Sequence, residues 1–151
     1  MSYSCAVRFV GVDYGARRVG LAISDATAML ARPWQVVTTD EPDPEHAAAM
    51  IADFMPMLVN DGDGLDGIVV GLPKRLDGTD TDQTPNARIF GEALEVITGL
   101  PVTFQDERLT SVEAEAQLAQ REKDWKKRKQ QIDAVAAAIM LQDFLDARVR
   151  A

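Results

Sequence analysis

The chain has 151 residues, 46% hydrophobic and 26% charged, with 24 acidic against 16 basic side chains and a net charge of −8. That length predicts one domain over 1–151 with a sizeable core, and the composition excludes disordered and collagen-like classes. A single cysteine, Cys5, excludes an intrachain disulfide, and the lack of any apolar run near the roughly 20 residues of a membrane span, or of a signal-peptide pattern, predicts a soluble cytoplasmic protein without a membrane partner.

From Ala6 to Val12 the chain is apolar apart from Arg8, and from Val19 to Ile23 it is apolar again, with Tyr14-Gly15-Ala16-Arg17-Arg18 between. This predicts a β-hairpin, and Trp34 to Thr39 after Pro33 extends it to a three-stranded antiparallel meander. Asp43-Pro44 supplies an N-cap and an early helical proline for a helix to about Asn60, which Pro56 should kink or shorten. His46 lies at its start among acids and is expected to be a solvated surface residue rather than a catalytic base. Residues 40–66 carry eight acids and no Lys or Arg, a segment as negative as the whole chain.

Gly67 to Leu72 reads as a buried strand. Thr84-Pro85 reads as a capped helix start, with Ile89, Phe90, Ala93, Leu94 and Ile97 forming the apolar stripe and Gly99 the stop. Val102 to Gln105 is a further strand, Thr110 and Glu113 form a capping box for a helix through Leu118, and the final helix runs from about Lys129 to Val149. Residues 134–142 hold no charge, so that helix must be largely buried. The order βββαβαβ followed by helices predicts an α/β fold with a five-stranded mixed sheet flanked by helices.

Two glycine patterns mislead. Gly62 to Gly67 has dinucleotide-binding spacing but precedes a strand instead of following one, and its acids fail as a calcium loop because Leu65 takes a ligand position. It is read as a turn. Three carboxylate positions are costlier: Asp13 at the end of the first strand, Asp106-Glu107 closing Val102–Gln105, and Asp133 heading the uncharged stretch. A desolvated Asp133 needs either a cation from Lys126–Lys129 or some other compensation. Should these elements converge, clustered oxygens without histidine or cysteine select Mg²⁺ or Mn²⁺, and such ions activate water on a phosphodiester without a histidine base. The run Lys126-Lys127-Arg128-Lys129 is a phosphate-binding candidate or a solvated helix start.

Four segments carry a resemblance in register: Gly11-Val12-Asp13-Tyr14-Gly15-Ala16-Arg17-Arg18-Val19-Gly20 with Ser24-Asp25; Val69-Val70-Gly71-Leu72-Pro73 with Asp77-Gly78-Thr79; Asp106 through Ala114; and Lys127-Arg128-Lys129 with Ile132 through Ala137. In these the sequence resembles the YqgF family, Holliday-junction-resolvase-like proteins and nucleases of pre-16S ribosomal RNA within the ribonuclease H-like superfold. The resemblance implies an acidic triad of Asp13, Glu107 and Asp133, and selects Glu107 over Asp106. It implies a divalent-metal-dependent endonuclease maturing the 5′ end of pre-16S rRNA, with ribosomal precursor particles as partners. Arg17, Arg18, Lys126, Lys127, Arg128 and Lys129 would then hold the RNA backbone. Related junction resolvases carry a further acid one turn after the last, where this chain has Ala136, which weighs against resolution of branched DNA. The competing readings are a junction resolvase, an actin-like ATP-binding protein, for which 151 residues leave only one of two needed domains, and a non-catalytic ribosome-assembly or transcription-associated binding protein.

Overall fold

The computed structural model describes residues 7–107, 116 and 125–150, with side-chain surroundings in the last helix given for 131–149. Strands β1 (Phe9–Tyr14), β2 (Arg18–Ser24) and β3 (Ala31–Thr38) are followed by helices α1 (Pro44–Ala52) and α2 (Met55–Val59). Strand β4 (Gly67–Pro73), helix α3 (Thr84–Thr98), strand β5 (Val102–Glu107) and helix α4 (Trp125–Arg150) complete the described elements. The sheet order is β3-β2-β1-β4-β5. β1, β2 and β3 pair antiparallel, while β4 and β5 run parallel to β1, so the expected meander and mixed sheet are both present.

Strand alternation sorts the side chains onto two faces. Val10, Val12, Tyr14, Leu21, Ile68 and Val70 join Ala47, Ile51, Ala87, Phe90 and Leu94 in one core, so α1 and α3 cover that face. Ala22 and Val69 meet Ala137, Met140, Leu141 and Leu145 in a second core under α4. The architecture is therefore helix layer, sheet, helix layer. Small alanines at 134 and 136–138 let α4 lie close to the strands, and the uncharged stretch is buried as its composition requires.

Several boundaries differ from expectation for local reasons. Asp43 does cap α1, its Oδ1 accepting from the Glu45 N–H at 3.1 Å. The helix does not continue to Asn60 but breaks at Asp53-Phe54, and Pro56 opens the separate α2. Strand β3 begins at Ala31, and the register slips between Leu21 and Ala22, which opposes Gln35 and then Pro33. Pro33 is tolerated because β3 is an edge strand. Thr84 is not the cap of α3: Gln83 holds that position without a side-chain bond, and the buried Thr84 hydroxyl instead donates to the Pro73 carbonyl at 2.5 Å, tying α3 to the end of β4. The Gly62–Gly67 segment is a turn, with Gly64 at φ +65°. Arg8 explains part of the acidic segment: buried, it donates to Asp61, to the Leu58 carbonyl at 2.9 Å and to the Gly64 carbonyl at 2.8 Å. The Thr110–Glu113 capping box lies outside the described residues.

Candidate active site

Val12 and Tyr14 point into the α1–α3 core, so Asp13 between them faces α4. Two glycines flank it. Gly20 is its antiparallel partner on β2, and the Val12–Val70 pairing on the other side brings Asp13 next to Gly71 of β4. Glu107 ends β5 in register with Pro73, and its carboxylate lies over Gly71; a methyl group there would sit 2.6 Å from Oε2. At Gly20 a methyl group would overlap the backbone carbonyl of Asp133, so α4 rests directly on β2 at that residue. Asp106 is exposed, whereas Glu107 is partly buried, because alternation turns the two to opposite faces.

The electrostatics follow from this crowding. Burial pushes the Asp13 carboxyl from its ordinary 3.8 up to about 7, with the charge of Asp133 adding to the rise and a hydrogen bond from Glu107 opposing it. Burial, then the neighbouring charge of Asp13, raises Glu107 well above its ordinary value. The two carboxyls are joined by a hydrogen bond, which lowers Asp13 and raises Glu107. Asp133 is raised by burial against the opposing pull of Arg18. Its cation is thus Arg18 of β2, with Nε 2.9 Å from Oδ2, where the sequence offered Lys126–Lys129.

Three acids that have, among the described residues, one guanidinium as their paired cation form a hard-oxygen donor set, which suits Mg²⁺ or Mn²⁺. As arranged, no three acidic, histidine or cysteine side chains among the described residues are grouped closely enough to hold one ion. Asp13 and Glu107 share a hydrogen bond, while Asp133 is engaged with Arg18.

Among the other expected residues, Arg17 is exposed in the β1–β2 turn, whose backbone is tied to Thr39 by bonds of 2.8 and 3.1 Å. Lys126, Lys127, Arg128 and Lys129 lie in the opening turns of α4, and their side chains are outside the described residues. His46 is partly exposed near Asp40, as expected of a surface residue. The sequence reading missed the loop after β4. Lys74 pairs with Asp80, and Arg75 Nη1 donates to the Asp80 carbonyl at 2.5 Å, bracing a turn that starts one residue beyond the partner of Glu107. Its signal was the Asp77-Gly78 turn dipeptide, where Gly78 has φ +88°.

The RuvX family, described as Holliday junction resolvase, matches residues 7–147. A protein of Ligilactobacillus salivarius named "Putative pre-16S rRNA nuclease" is 40% identical over 142 residues, covering 93% of each chain. One of the same name from Chloroflexus aggregans is 44% identical over 139 residues, covering 92% of this chain and 93% of that one. The solved RuvC of Thermus thermophilus in complex with a Holliday junction superposes with TM-score 0.51 at 18% identity, over 95% of this chain and 96% of that one, a likeness of ribonuclease H-like fold. With a family match over most of its length and relatives at this identity, the chain belongs to the RuvX family.

Proposed function

We propose that this protein is a divalent-metal-dependent endonuclease that cleaves RNA phosphodiesters in the 5′-end maturation of pre-16S ribosomal RNA, acting in the cytoplasm on ribosomal precursor particles. The observation that carries the reading is the convergence of Asp13, Glu107 and Asp133 from β1, β5 and α4, with a hydrogen bond between the first two. Crowding of this kind costs stability and serves no packing purpose, which favours a site built for cations. The names of the relatives support the substrate.

In this reading Asp13 and Glu107 hold Mg²⁺ or Mn²⁺ jointly with Asp133. When bound, the metal supplies an activated water and charge stabilisation for the leaving oxygen. The chain does the rest. Gly20 admits the backbone of α4 and Gly71 the carboxylate of Glu107 beside Asp13, while Arg17, Arg18 and the Lys126–Lys129 run would hold the incoming backbone. Phosphate contacts of this sort orient the strand without reading its bases.

Ala136, almost fully buried beside Ile132 and Ile139, occupies the position where a fourth acid would stand, and favours RNA over branched DNA. The deciding assay compares Mn²⁺- and Mg²⁺-dependent cleavage of pre-16S RNA, a short single-stranded RNA and a four-way DNA junction, with Asp13→Asn as control. RNA cleavage lost in Asp13→Asn is expected. Junction cleavage without RNA cleavage would overturn the substrate, and activity surviving in Asp13→Asn would overturn the site.

A further inference from the structure

Arg18 stands between two demands. It is the only cation paired with any of the three clustered acids among the described residues, and it is also positioned to meet a phosphate. Its backbone is fixed as the first residue of β2, opposite Thr38, so only the side chain is free to move. That side chain is about half exposed and bonds to Asp133 through Nε alone, with no further hydrogen bond to a described residue. The two terminal nitrogens of the fork are thus left to donate to the two non-bridging oxygens of a phosphodiester. Asp133, for its part, is the member of the cluster that is committed elsewhere.

We propose that the Arg18–Asp133 ion pair is a latch coupling nucleic-acid backbone binding to divalent-cation binding. A phosphate takes Arg18 and so frees Asp133 for the cation; a cation takes Asp133 and so frees Arg18 for the phosphate. Each ligand breaks the same bond, so whichever binds second does so without that cost. Linkage makes the gain reciprocal. The latch weakens cation binding until a backbone is in place, which favours hydrolysis of bound substrate. Arg18 is in this sense a positioning residue, and the inference rests on the reading of Asp13, Glu107 and Asp133 as cation ligands.

The test uses binding, not turnover. Mn²⁺ affinity is measured calorimetrically without nucleic acid, and affinity for a single-stranded RNA oligonucleotide is measured by anisotropy in chelator and in Ca²⁺. Arg18→Gln is compared with wild type and with Arg17→Gln, which removes the same charge one residue away. Exposed ion pairs of this kind are modest, so Arg18→Gln should tighten Mn²⁺ by about threefold to tenfold. It should also shrink, by a similar factor, the gain in RNA affinity that Ca²⁺ confers on the wild type. Equal effects of Arg18→Gln and Arg17→Gln would overturn the latch and leave a general charge effect. Failure of Mn²⁺ to bind wild type and both variants would instead overturn the underlying cation site, so the two failures are distinguishable.

Discussion

A carboxyl that titrates near 7 when folded and near 3.8 when unfolded works against the folded chain over the interval between. In that window the native state binds more protons than the unfolded state, so stability falls as pH rises. Glu107, also raised, acts in the same direction. The protein in chelator should therefore melt several degrees higher near pH 5 than near pH 8. Asp13→Asn should flatten that difference while removing cleavage. A melting temperature that climbs steadily from pH 5 to pH 8 would show the acids to be ionised without penalty. Asp133, raised by burial against the pull of Arg18, acts in the same direction as Asp13 and Glu107. Being partly exposed and paired with Arg18, it should tolerate Asn at a cost of about 1 kcal/mol or less, not the loss expected of a fully buried pair.

Elements meet at two glycines whose substitution should behave differently. At Gly71 the obstacle to a methyl group is the end of the Glu107 side chain, which can swing aside. Gly71→Ala should change stability by under about 1 kcal/mol yet lower cleavage about 10- to 100-fold, because the displaced carboxylate is misplaced by an ångström or so. At Gly20 the obstacle is the backbone of α4, which moves only as a unit. Gly20→Ala should cost about 1–3 kcal/mol or more, and should lower activity as well. Thermal melts alongside cleavage rates separate the two. The same comparison shows where the sequence was readable. Continuous apolar runs announced β1, β2 and β4, and the uncharged stretch at 134–142 announced a buried α4, because composition is a local property. Asp133 finding its partner 115 residues away in Arg18 is a product of topology, and no local pattern encodes it. The break between α1 and α2 was foreshadowed by Pro56, but its position at Asp53-Phe54 depended on packing. Asp106 and Glu107 were separated in the sequence only by resemblance; the strand separates them by alternation.

For the whole molecule, the acidic segment 40–66 and the basic run 126–129 belong to different layers. The acidic segment 40–66 contains α1 and α2, and α1 belongs to the layer opposite α4, whereas the run at 126–129 opens α4 itself. The proposed phosphate-binding run would draw a polyanion toward the start of α4 in spite of a net charge of −8. Replacing Lys126 and Lys127 by Ala should weaken RNA binding at every sequence and flatten the log–log salt dependence by up to about 1.4. An unchanged slope would mark the run as a solvated helix start. The acidic layer also carries structure. Arg8→Met should destabilise by about 2–4 kcal/mol, since the Leu58 and Gly64 carbonyls and Asp61 lose their shared donor. Denaturant titration measures this directly, and a loss below about 0.5 kcal/mol would reduce the anchor to a surface pair.

The three proposed carboxylates lie at positions 13, 107 and 133, and the helix that brings the last of them is also the cover of the second core. During synthesis, a chain elongated only as far as β5 holds Asp13 and Glu107 but leaves Ala22 and Val69 uncovered and has no Asp133. Completion of the sheet's outer layer and completion of the cluster are thus one event in time. A half-made chain emerging among ribosomal RNAs would carry no finished cutting site, and the step that first seals its hydrophobic surface is the step that arms it.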